Sequence, residues 1–299
     1  MVAGVTSSGP VFIVNPVSGN GRALVAMRKI RAAMGAVDVV ETSGPGDAEA
    51  LAFRAASDGF GPVVVVGGDG TIQEAVNGLM RSGASPPLGI VAAGSANDIA
   101  RSLRLPRDPL KAARLALGDV AGAVDLGLCN GRSFLNVAGV GLDTVVVEAV
   151  NARPGRLGRG RTGYIVQAVR ELRRFENPVF TIRFDDEVVE TPSTLLAVAN
   201  LRYFGGGMKI APQASPNDGL LDLWIGGDLS RKEVLALMPV IFTGQHGRHP
   251  KVSHRRVTSV RIESAIPMRV QLDGEICEAL PAEFRVAPRA LRIAGWTDS

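Results

Sequence analysis

Residues Val63–Ile72 read V-V-V-V-G-G-D-G-T-I. Four consecutive valines are typical of a strand that is buried on both faces of a parallel sheet. The glycines after them let the backbone turn sharply and approach a ligand closely. Their N–H groups, together with the N-terminus of the next helix, suit an anion. Asp69 would repel a phosphate unless a cation lay between the two, so the stretch predicts a loop for a nucleotide polyphosphate with Mg²⁺.

The glycine spacing excludes two common phosphate-binding motifs. It matches neither the P-loop, G-x-x-x-x-G-K-[ST], nor the dinucleotide fingerprint, G-x-G-x-x-G. A Gly-rich turn of an α/β domain without a ligand is the alternative interpretation.

Strand-like and helix-like segments alternate around this stretch across residues 1–125, which predicts βαβ units and a mostly parallel sheet. From about Val124 onward strands predominate, and residues 126–286 are expected to form an antiparallel β-rich sandwich domain. A last strand near Leu291–Ile293 is expected to return to the first domain, which then also takes in residues 287–299. The predicted fold class is therefore α/β plus all-β.

The β-rich half contains further predicted elements. A helix is expected at Tyr164–Phe175, and Ser230 with Glu233 forms an S-x-x-E capping box that starts another helix. Single strands are predicted at Ser133–Val137, Val257–Glu263 and Glu283–Val286.

Two more polar loops follow predicted strands of the first domain, N-P-V-S-G at Asn15–Gly19 and G-S-A-N-D at Gly94–Asp98. Ligands of open α/β sheets bind at the carboxyl ends of strands, so three such loops together define a site. Taken alone, Asn97 or Asp98 could simply cap the following helix. The candidate nucleotide-binding residues in the three loops are Asn15, Pro16, Ser18, Gly19, Gly67, Gly68, Asp69, Gly70, Thr71, Gly94, Ser95 and Asn97.

Composition limits the partners and the compartment. The 299 residues carry 33 Lys and Arg against 29 Asp and Glu, a net charge of +4 that weakly favours anionic partners. Aromatic residues make up only 5%, which argues against a stacking platform for single-stranded nucleic acid, and no nucleic-acid partner is expected. Apolar runs stay well short of the roughly 20 residues of a spanning helix, so membrane contact is expected to be peripheral. Cys129 and Cys277 are expected to be reduced thiols in the cytoplasm.

The motifs N-P-x-S-G, G-G-D-G-T and G-S-A-N-D-I-A-R, in this order, resemble the soluble diacylglycerol kinase catalytic family, which includes bacterial lipid kinases, sphingosine kinases and ceramide kinases. The resemblance continues in F-G-G-G-M-K-I-A-P (Phe204–Pro212), S-P-N-D-G-L-L-D-L (Ser215–Leu223) and Q-L-D-G-E (Gln271–Glu275). It covers about Val11 to Ile293. It implies an ATP- and Mg²⁺-dependent lipid kinase of phospholipid biosynthesis, whose β-rich domain binds a diacylglycerol-like acceptor.

The resemblance also implies roles for single residues. Asp273 matches the family's catalytic base, and a carboxylate that accepts the hydroxyl proton suits phosphoryl transfer. Glu275 matches a position that contacts the nucleotide or its metal, and Thr42 matches a nucleotide-contacting threonine. Ser95 stands where the family usually has Thr, and both supply a hydroxyl. The alternative for D-G-E is an ordinary hairpin turn.

A second metal site is implied in the β-rich domain. Asp218, with the main-chain carbonyls of Ser215 and Leu220, matches it, and such oxygens suit a hard cation. Asn217 and Gln213 are neutral where some relatives have acids, which puts the affinity in question. A plain D-G turn is the alternative.

The expected partners are ATP and a lipid acceptor, and two other functions remain as alternatives. The lipid acceptor should be met at the inner face of the membrane, where the basic run Arg153–Arg161 could contact headgroups. A solvated loop and helix face is the alternative for this run, and a homodimer is left open. The first rival is an NAD kinase-like enzyme, which shares G-G-D-G-T. The second is a non-catalytic nucleotide- or lipid-binding regulator, against which the presence of Asp69 and Asp273 argues. The acceptor lipid is not identified by the sequence.

Overall fold

The computed structural model describes residues 9–152 and 161–298. The chain divides into two compact units: unit 1 is Met1–Val124 with Arg289–Ser299, and unit 2 is Asp125–Pro288. Of the basic run Arg153–Arg161, all but Arg161 lies outside the described residues. Over the described residues, no helix combines the length and the apolar character needed to cross a bilayer.

Unit 1 is built on a parallel sheet. Its strands lie in the order β2-β1-β3-β4, and Ile293 from the last strand of the chain adds in parallel beside β4. The strands are β1 (Val11–Val14), β2 (Asp38–Glu41), β3 (Val63–Gly67) and β4 (Leu88–Ala92). The helices are α1 (Arg22–Met34), α2 (Asp47–Ser57), α3 (Asp69–Ser82), α4 (Asp98–Ser102) and α5 (Pro109–Ala116).

Burial explains why these segments fold as they do. The four valines of β3 are fully buried, as expected of a central strand covered on both faces. Helix α1 buries Ala23, Ala26, Met27 and Ile30, an i, i+3, i+4, i+7 stripe typical of an amphipathic helix. Parallel strands of this kind end at one edge of the sheet, and the loops that follow them lie there.

Unit 2 contains most of the remaining elements. Its helices are α6 (Leu142–Asn151), α7 (Arg161–Leu172) and α8 (Arg231–Ile241). Twelve strands follow β4 within the described residues, of which β5 begins in unit 1 and β16 ends there. They are β5 (Ala121–Cys129), β6 (Arg132–Phe134), β7 (Val137–Gly141), β8 (Val179–Phe184), β9 (Glu187–Pro192), β10 (Leu195–Ala199), β11 (Leu221–Gly226), β12 (Val252–Val257), β13 (Ser259–Ser264), β14 (Arg269–Leu272), β15 (Glu275–Ala279) and β16 (Ala282–Ala294).

Two antiparallel layers enclose the core of unit 2. One is a six-stranded sheet in the order β12-β11-β10-β7-β14-β15. The other pairs β9, β8, β13 and the first part of β16. Side chains of both layers meet in one apolar cluster that includes Phe180 and Phe284 from one layer and Val140 and Leu223 from the other. The predicted fold class, α/β followed by a β-rich sandwich, is confirmed.

Several predicted elements differ from the structure. Ser133–Val137 is not one strand, because β6 ends at Phe134 and β7 begins at Val137. Val257–Glu263 is also two strands, since β12 and β13 belong to different sheets. The strands predicted at Glu283–Val286 and Leu291–Ile293 are parts of the continuous β16.

One helix start is confirmed and another helix was missed. The Ser230 side chain accepts from the Glu233 N–H and the Glu233 carboxylate accepts from the Ser230 N–H, so α8 begins at the predicted capping box. Helix α6 was not predicted, because its valine run is typical of a strand. It folds as a helix since it packs on α7 and on the sheet of unit 2.

Candidate functional site

The three predicted loops of unit 1 come together. A Cβ built on Gly94 would lie 2.4 Å from the Cα of Gly68, and one built on Gly68 would lie 3.3 Å from the Ser18 hydroxyl. Gly19 has φ +58°, and a Cβ there would lie 2.0 Å from the Ala93 carbonyl oxygen. The loops therefore approach one another through backbone atoms at one edge of the sheet, which glycine permits because it has no Cβ.

Polar side chains fasten the loops to one another. The Asn15 amide donates to the Thr71 hydroxyl at 2.9 Å and its oxygen accepts from the Val17 N–H at 3.2 Å. Arg22, which the sequence analysis missed, donates to the carbonyls of Gly19 at 3.0 Å and Gly94 at 2.7 Å. The only feature of the sequence that could have indicated a role for Arg22 was its position directly after Gly19-Asn20-Gly21. This arginine bridges the first and third loops.

Asp69 connects the second loop to the third. Its two carboxylate oxygens each accept an N–H at 3.1 Å, one from Asp98 and one from Ile99. Burial raises the pKa of Asp69 above its ordinary value, while backbone N–H groups and the Arg101 guanidinium oppose that shift. The carboxylate is thus partly a structural acceptor that orients the backbone of the third loop.

The remaining predicted nucleotide residues of unit 1 lie around these loops. Thr42 is buried at the end of β2, and its N–H donates to the Val14 carbonyl at 2.9 Å. Pro16 is half-buried in the first loop, and Ser95 is exposed in the third. Asn97 has φ +56°, and its buried Oδ1 finds no hydrogen-bond partner within the described residues. An unsatisfied buried oxygen of this kind is consistent with a ligand or water at the loop.

A cationic cavity of about 500 Å³ opens beside the third loop. Four cations line it, and its described lining residues include no carboxylate. Arg101 pairs with Asp98 at 3.0 Å, so three of the four charges are not offset by an ion pair among the described residues. The cavity attracts anions for that reason. The four cations are Arg22, Lys29, Arg101 and Arg107.

The close contact between loops predicts a large effect for one substitution. Gly94→Ala is expected to lower the melting temperature, because the new methyl group would overlap backbone atoms of Gly68 that cannot move aside cheaply. The cost should be about 1–3 kcal/mol of unfolding free energy, measured by chemical denaturation. Gly70→Ala is the stability control, since a Cβ there meets nothing within 4 Å. Equal stability of the two variants would contradict the described contact.

In unit 2, Asp273 lies at a tight hairpin turn between β14 and β15. Its φ is +51° and that of Gly274 is +91°, as expected of a two-residue turn. Its carboxylate accepts three consecutive backbone N–H groups, from Leu135 at 2.8 Å, Asn136 at 2.9 Å and Val137 at 2.7 Å. The predicted hairpin is therefore present, and its aspartate also holds the backbone of residues 135–137.

Three N–H donors stabilise the ionised form of a carboxylate. The same bonds explain why Leu135 and Asn136 interrupt the predicted strand Ser133–Val137, because these N–H groups point to Asp273 instead of a neighbouring strand. Asp273 is half-buried. Glu275, two residues on, is also half-buried, with the Arg132 guanidinium 3.9 Å away.

Two buried residues, Gln271 and Asp143, hold this turn in place through hydrogen bonds. Gln271 is fully buried, and its carbonyl oxygen accepts from the Gly274 N–H at 2.7 Å. Its amide donates at 2.8 Å to Asp143, a buried residue of α6. Sequence reasoning missed both residues. The available signal was an acid next to an apolar run and a glutamine between Val270 and Leu272.

The predicted second metal loop is fastened by residues that were also missed. Asp218 accepts from the Leu220 N–H at 3.1 Å and forms an ion pair with Arg256. The fully buried Asp125 accepts from the Gly219 N–H at 2.7 Å. Asp125 interrupts an apolar strand, which was the sequence signal for it.

Asn200 joins this loop to the Asp273 turn within unit 2. Its amide donates to the Asp125 carbonyl at 2.9 Å and to the Leu135 carbonyl at 2.8 Å. Leu135 in turn donates its N–H to Asp273. The two features that sequence reasoning treated separately therefore belong to one buried hydrogen-bond network.

The donor set can be tested against the Mg²⁺ that the resemblance implies. The Asp69 carboxylate accepts N–H groups of the third loop, and a carboxylate at this position fits a metal that arrives on nucleotide phosphates. At the second site a cation held by Asp218 and the carbonyls of Ser215 and Leu220 would compete with Arg256. Over residues 9–152 and 161–298, no three His, Cys, Asp or Glu side chains cluster as a metal site.

Unit 2 also contains an apolar pocket of about 140 Å³ between its six-stranded sheet and helices α6, α7 and α8. Its polar lining side chains are few, and Asp143 is the one acid among the described lining residues. Helix α8, which forms one wall, buries none of its residues. The apolar wall includes Leu142, Val146, Phe204, Met208, Trp224, Leu237, Met238 and Ile241.

Comparisons with known proteins agree along the whole chain. Residues 10–129 match the family profile described as diacylglycerol kinase catalytic domain, and residues 136–295 match the YegS C-terminal NAD kinase beta sandwich-like domain. A diacylglycerol kinase of Mycobacterium tuberculosis is 36% identical over 292 residues, 94% of this chain and 93% of that protein. One of Bacillus subtilis is 33% identical over 246 residues, 81% of this chain and 80% of that protein.

A solved structure shares the fold. A Bacillus anthracis str. Sterne protein, provisionally assigned as a diacylglycerol kinase, is 26% identical to this chain. The two structures superpose with a TM-score of 0.81 over 99% of this chain and 98% of that one.

Proposed function

Because the chain belongs to the bacterial diacylglycerol kinase family, we propose that it transfers the γ-phosphoryl group of ATP to a hydroxyl of a diacylglycerol-like lipid. The observation that carries the lipid part of the proposal is the apolar pocket of unit 2. Its lining suits an acyl chain, whereas a dinucleotide would need many polar contacts.

The three loops of unit 1 are proposed to hold the nucleotide. Backbone N–H groups of Gly67–Thr71 and of Gly19, together with the Ser18 hydroxyl, would bind the phosphates, and the cationic cavity would draw the polyanion toward them. Mg²⁺ bound to Asp69 and the phosphates would neutralise charge that develops during transfer. Thr42, Asn97 and Glu275 would contact the rest of the nucleotide, as the resemblance implies.

Asp273 is proposed to accept the proton of the acceptor hydroxyl. The hydroxyl oxygen forms a bond to the γ-phosphorus while the bond from that phosphorus to the bridging oxygen breaks, and ADP leaves. The hydroxyl proton passes to the Asp273 carboxylate. Three N–H groups hold this carboxylate in place, so its main contribution is to orient the hydroxyl until the proton is released late in the transfer.

The acceptor dictates where the enzyme works. A diacylglycerol-like lipid resides in a bilayer, so the protein is proposed to act at the inner face of the membrane by peripheral contact. ATP and the lipid are then its two partners.

The first experiment measures phosphate transfer from γ-labelled ATP with Mg²⁺ in mixed micelles. The acceptors are diacylglycerol, phosphatidylglycerol, sphingosine and a polyprenol, with NAD and a lipid-free blank beside them. A labelled lipid is expected and would identify the acceptor. NAD is included because the C-terminal profile is NAD kinase-like. Labelled NADP without labelled lipid would contradict the proposal, as would a lack of product in every sample.

Gly70→Ala tests the nucleotide site directly. Its new methyl group would point into open space in the protein alone, so the fold should persist. If phosphates lie against this loop, the methyl group takes part of their place. ATP affinity should fall by about 10-fold or more, equivalent to about 1.4 kcal/mol, measured by isothermal titration calorimetry. The matched control is Gly118→Ala at the exposed end of α5, and unchanged affinity in Gly70→Ala would rule out phosphate at this loop.

A further inference from the structure

A buried polar connection runs from the apolar pocket of unit 2 to the turn that carries Asp273. Asp143 is at once a lining residue of the pocket and the hydrogen-bond acceptor of Gln271. Gln271 spans the distance from Asp143 to the Gly274 N–H, which lies beside Asp273. The connection therefore consists of two side chains and two hydrogen bonds of 2.8 Å and 2.7 Å.

The sequence of β14 places Gln271 where an apolar residue would be expected. Val270 and Leu272 point into the core between the two layers, so Gln271 points to the opposite face of the sheet, toward α6. There it is fully buried. Burying an amide and a carboxylate is costly unless both are hydrogen-bonded, and well-packed apolar side chains would serve stability as well.

The neighbouring strand is adapted to the pair. Gln271 lies opposite Gly139 of β7. A Cβ on Gly139 would lie 2.1 Å from the Asp143 carboxylate and 2.7 Å from the Gln271 amide nitrogen. Space for the two polar groups therefore depends on glycine at this position, which indicates that the pair is an integral part of the packing and not an accidental contact.

The turn needs such support. Asp273 has φ +51°, a backbone conformation that side-chain-bearing residues rarely adopt. Its three N–H bonds hold the carboxylate from one side, and the Gln271 bond to Gly274 holds the backbone from the other. A small shift of the turn would move the carboxylate away from the reacting hydroxyl, and such shifts are costly for transfer reactions.

We propose that Gln271 and Asp143 are positioning residues of the phosphoryl transfer. Gln271 fixes the turn that carries Asp273, and Asp143 fixes Gln271 from the wall of the acceptor pocket. The inference rests on the proposed function, and it adds that the pocket and the proton acceptor are held as one rigid arrangement. An acceptor chain in the pocket then lies against the same acid that orients the turn.

Reversing the polarity of the pair tests this role. Gln271→Glu keeps an oxygen for the Gly274 N–H but sets a carboxylate against Asp143. We expect kcat for lipid phosphorylation to fall by about 10²-fold, with the KM for ATP unchanged. Asp143→Asn is then added to Gln271→Glu as the second substitution. In the double variant, the new amide at position 143 donates to the new carboxylate at position 271. This hydrogen bond should restore most of kcat.

A stability control separates positioning from mere folding. Val260→Ala removes two methyl groups from the core of unit 2, where the side chain is buried and apart from the pair. It should lower the melting temperature without lowering kcat. The proposal is overturned if folded Gln271→Glu keeps kcat near wild type, if it loses no more kcat than Val260→Ala, or if the double variant does not recover. A wild-type protein that makes no lipid product would instead refute the proposed function.

Discussion

Replacing Asp273 with alanine is expected to lower kcat for lipid phosphorylation by about 10²–10⁴-fold, the range of a lost proton acceptor. The affinity for ATP should stay unchanged, because the proposed phosphate-binding loops belong to unit 1 and Asp273 belongs to unit 2. Steady-state kinetics with saturating lipid, together with calorimetric titration of ATP, measures both quantities.

The substitution also removes three hydrogen bonds to a charged group, so stability must be followed at the same time. The loop Leu135–Val137 loses its acceptor, and each bond to a charged group contributes about 1.5–3 kcal/mol before relaxation. A lower melting temperature is therefore expected. Activity is to be measured at a temperature where the variant is folded, as judged by circular dichroism.

A matched control exists in another hairpin of unit 2. Asp185 also has a positive φ, +48°, at the turn between β8 and β9, and it is exposed. Asp185→Ala removes a similar turn aspartate without touching the N–H cluster, so kcat should not change. A folded Asp273→Ala that retains activity within a few-fold of wild type would reduce Asp273 to a turn residue and leave the reaction without its proposed proton acceptor.

The sequence predicted what depends on local pattern. Val63–Val66 reads as a strand buried on both faces, and in the structure these residues belong to β3 and are fully buried. The three loops of unit 1 were predicted to converge because parallel strands end at one edge of a sheet. The contact of Gly68 with Gly94 bears out that reasoning.

What could not be predicted depends on partners distant in the chain. The interruption at Leu135 and Asn136 requires the carboxylate of Asp273, more than a hundred residues away in the sequence. Helix α6 carries β-branched valines, and the residues it packs against lie far away in the sequence. The ion pair of Asp218 with Arg256 likewise joins residues that no local pattern connects.

Polar residues inside apolar strands could have indicated more of the site than was predicted from them. Asp125, Asn200 and Gln271 each lie in or next to an apolar strand and each is fully buried. Buried polar groups must be hydrogen-bonded, so such residues mark places where the chain is fastened to something specific. In this protein they fasten the turn and the loop of unit 2 that carry the candidate chemistry.

Replacing Asp69 with asparagine is expected to impair the use of ATP, because it disturbs the third loop and removes a charge. The carboxylate accepts one N–H with each oxygen, from Asp98 and Ile99. An amide can accept only one of them, and its NH₂ group would face the other N–H. An unsatisfied buried donor costs about 1–3 kcal/mol, and the third loop should shift as a result. The charge available to Mg²⁺ is lost as well.

Together these losses should lower kcat/KM for ATP by about 100-fold, since 1.4 kcal/mol is worth a factor of ten. Titrations of ATP with and without Mg²⁺ separate the two causes. If Asp69 acts through the metal, the wild type gains affinity from Mg²⁺ and Asp69→Asn does not. If it only orients the loop, both proteins gain equally from Mg²⁺. Asp58→Asn, an exposed acid after α2, is the charge-matched control. Unchanged binding of Mg²⁺ and ATP in Asp69→Asn would remove Asp69 from the nucleotide site.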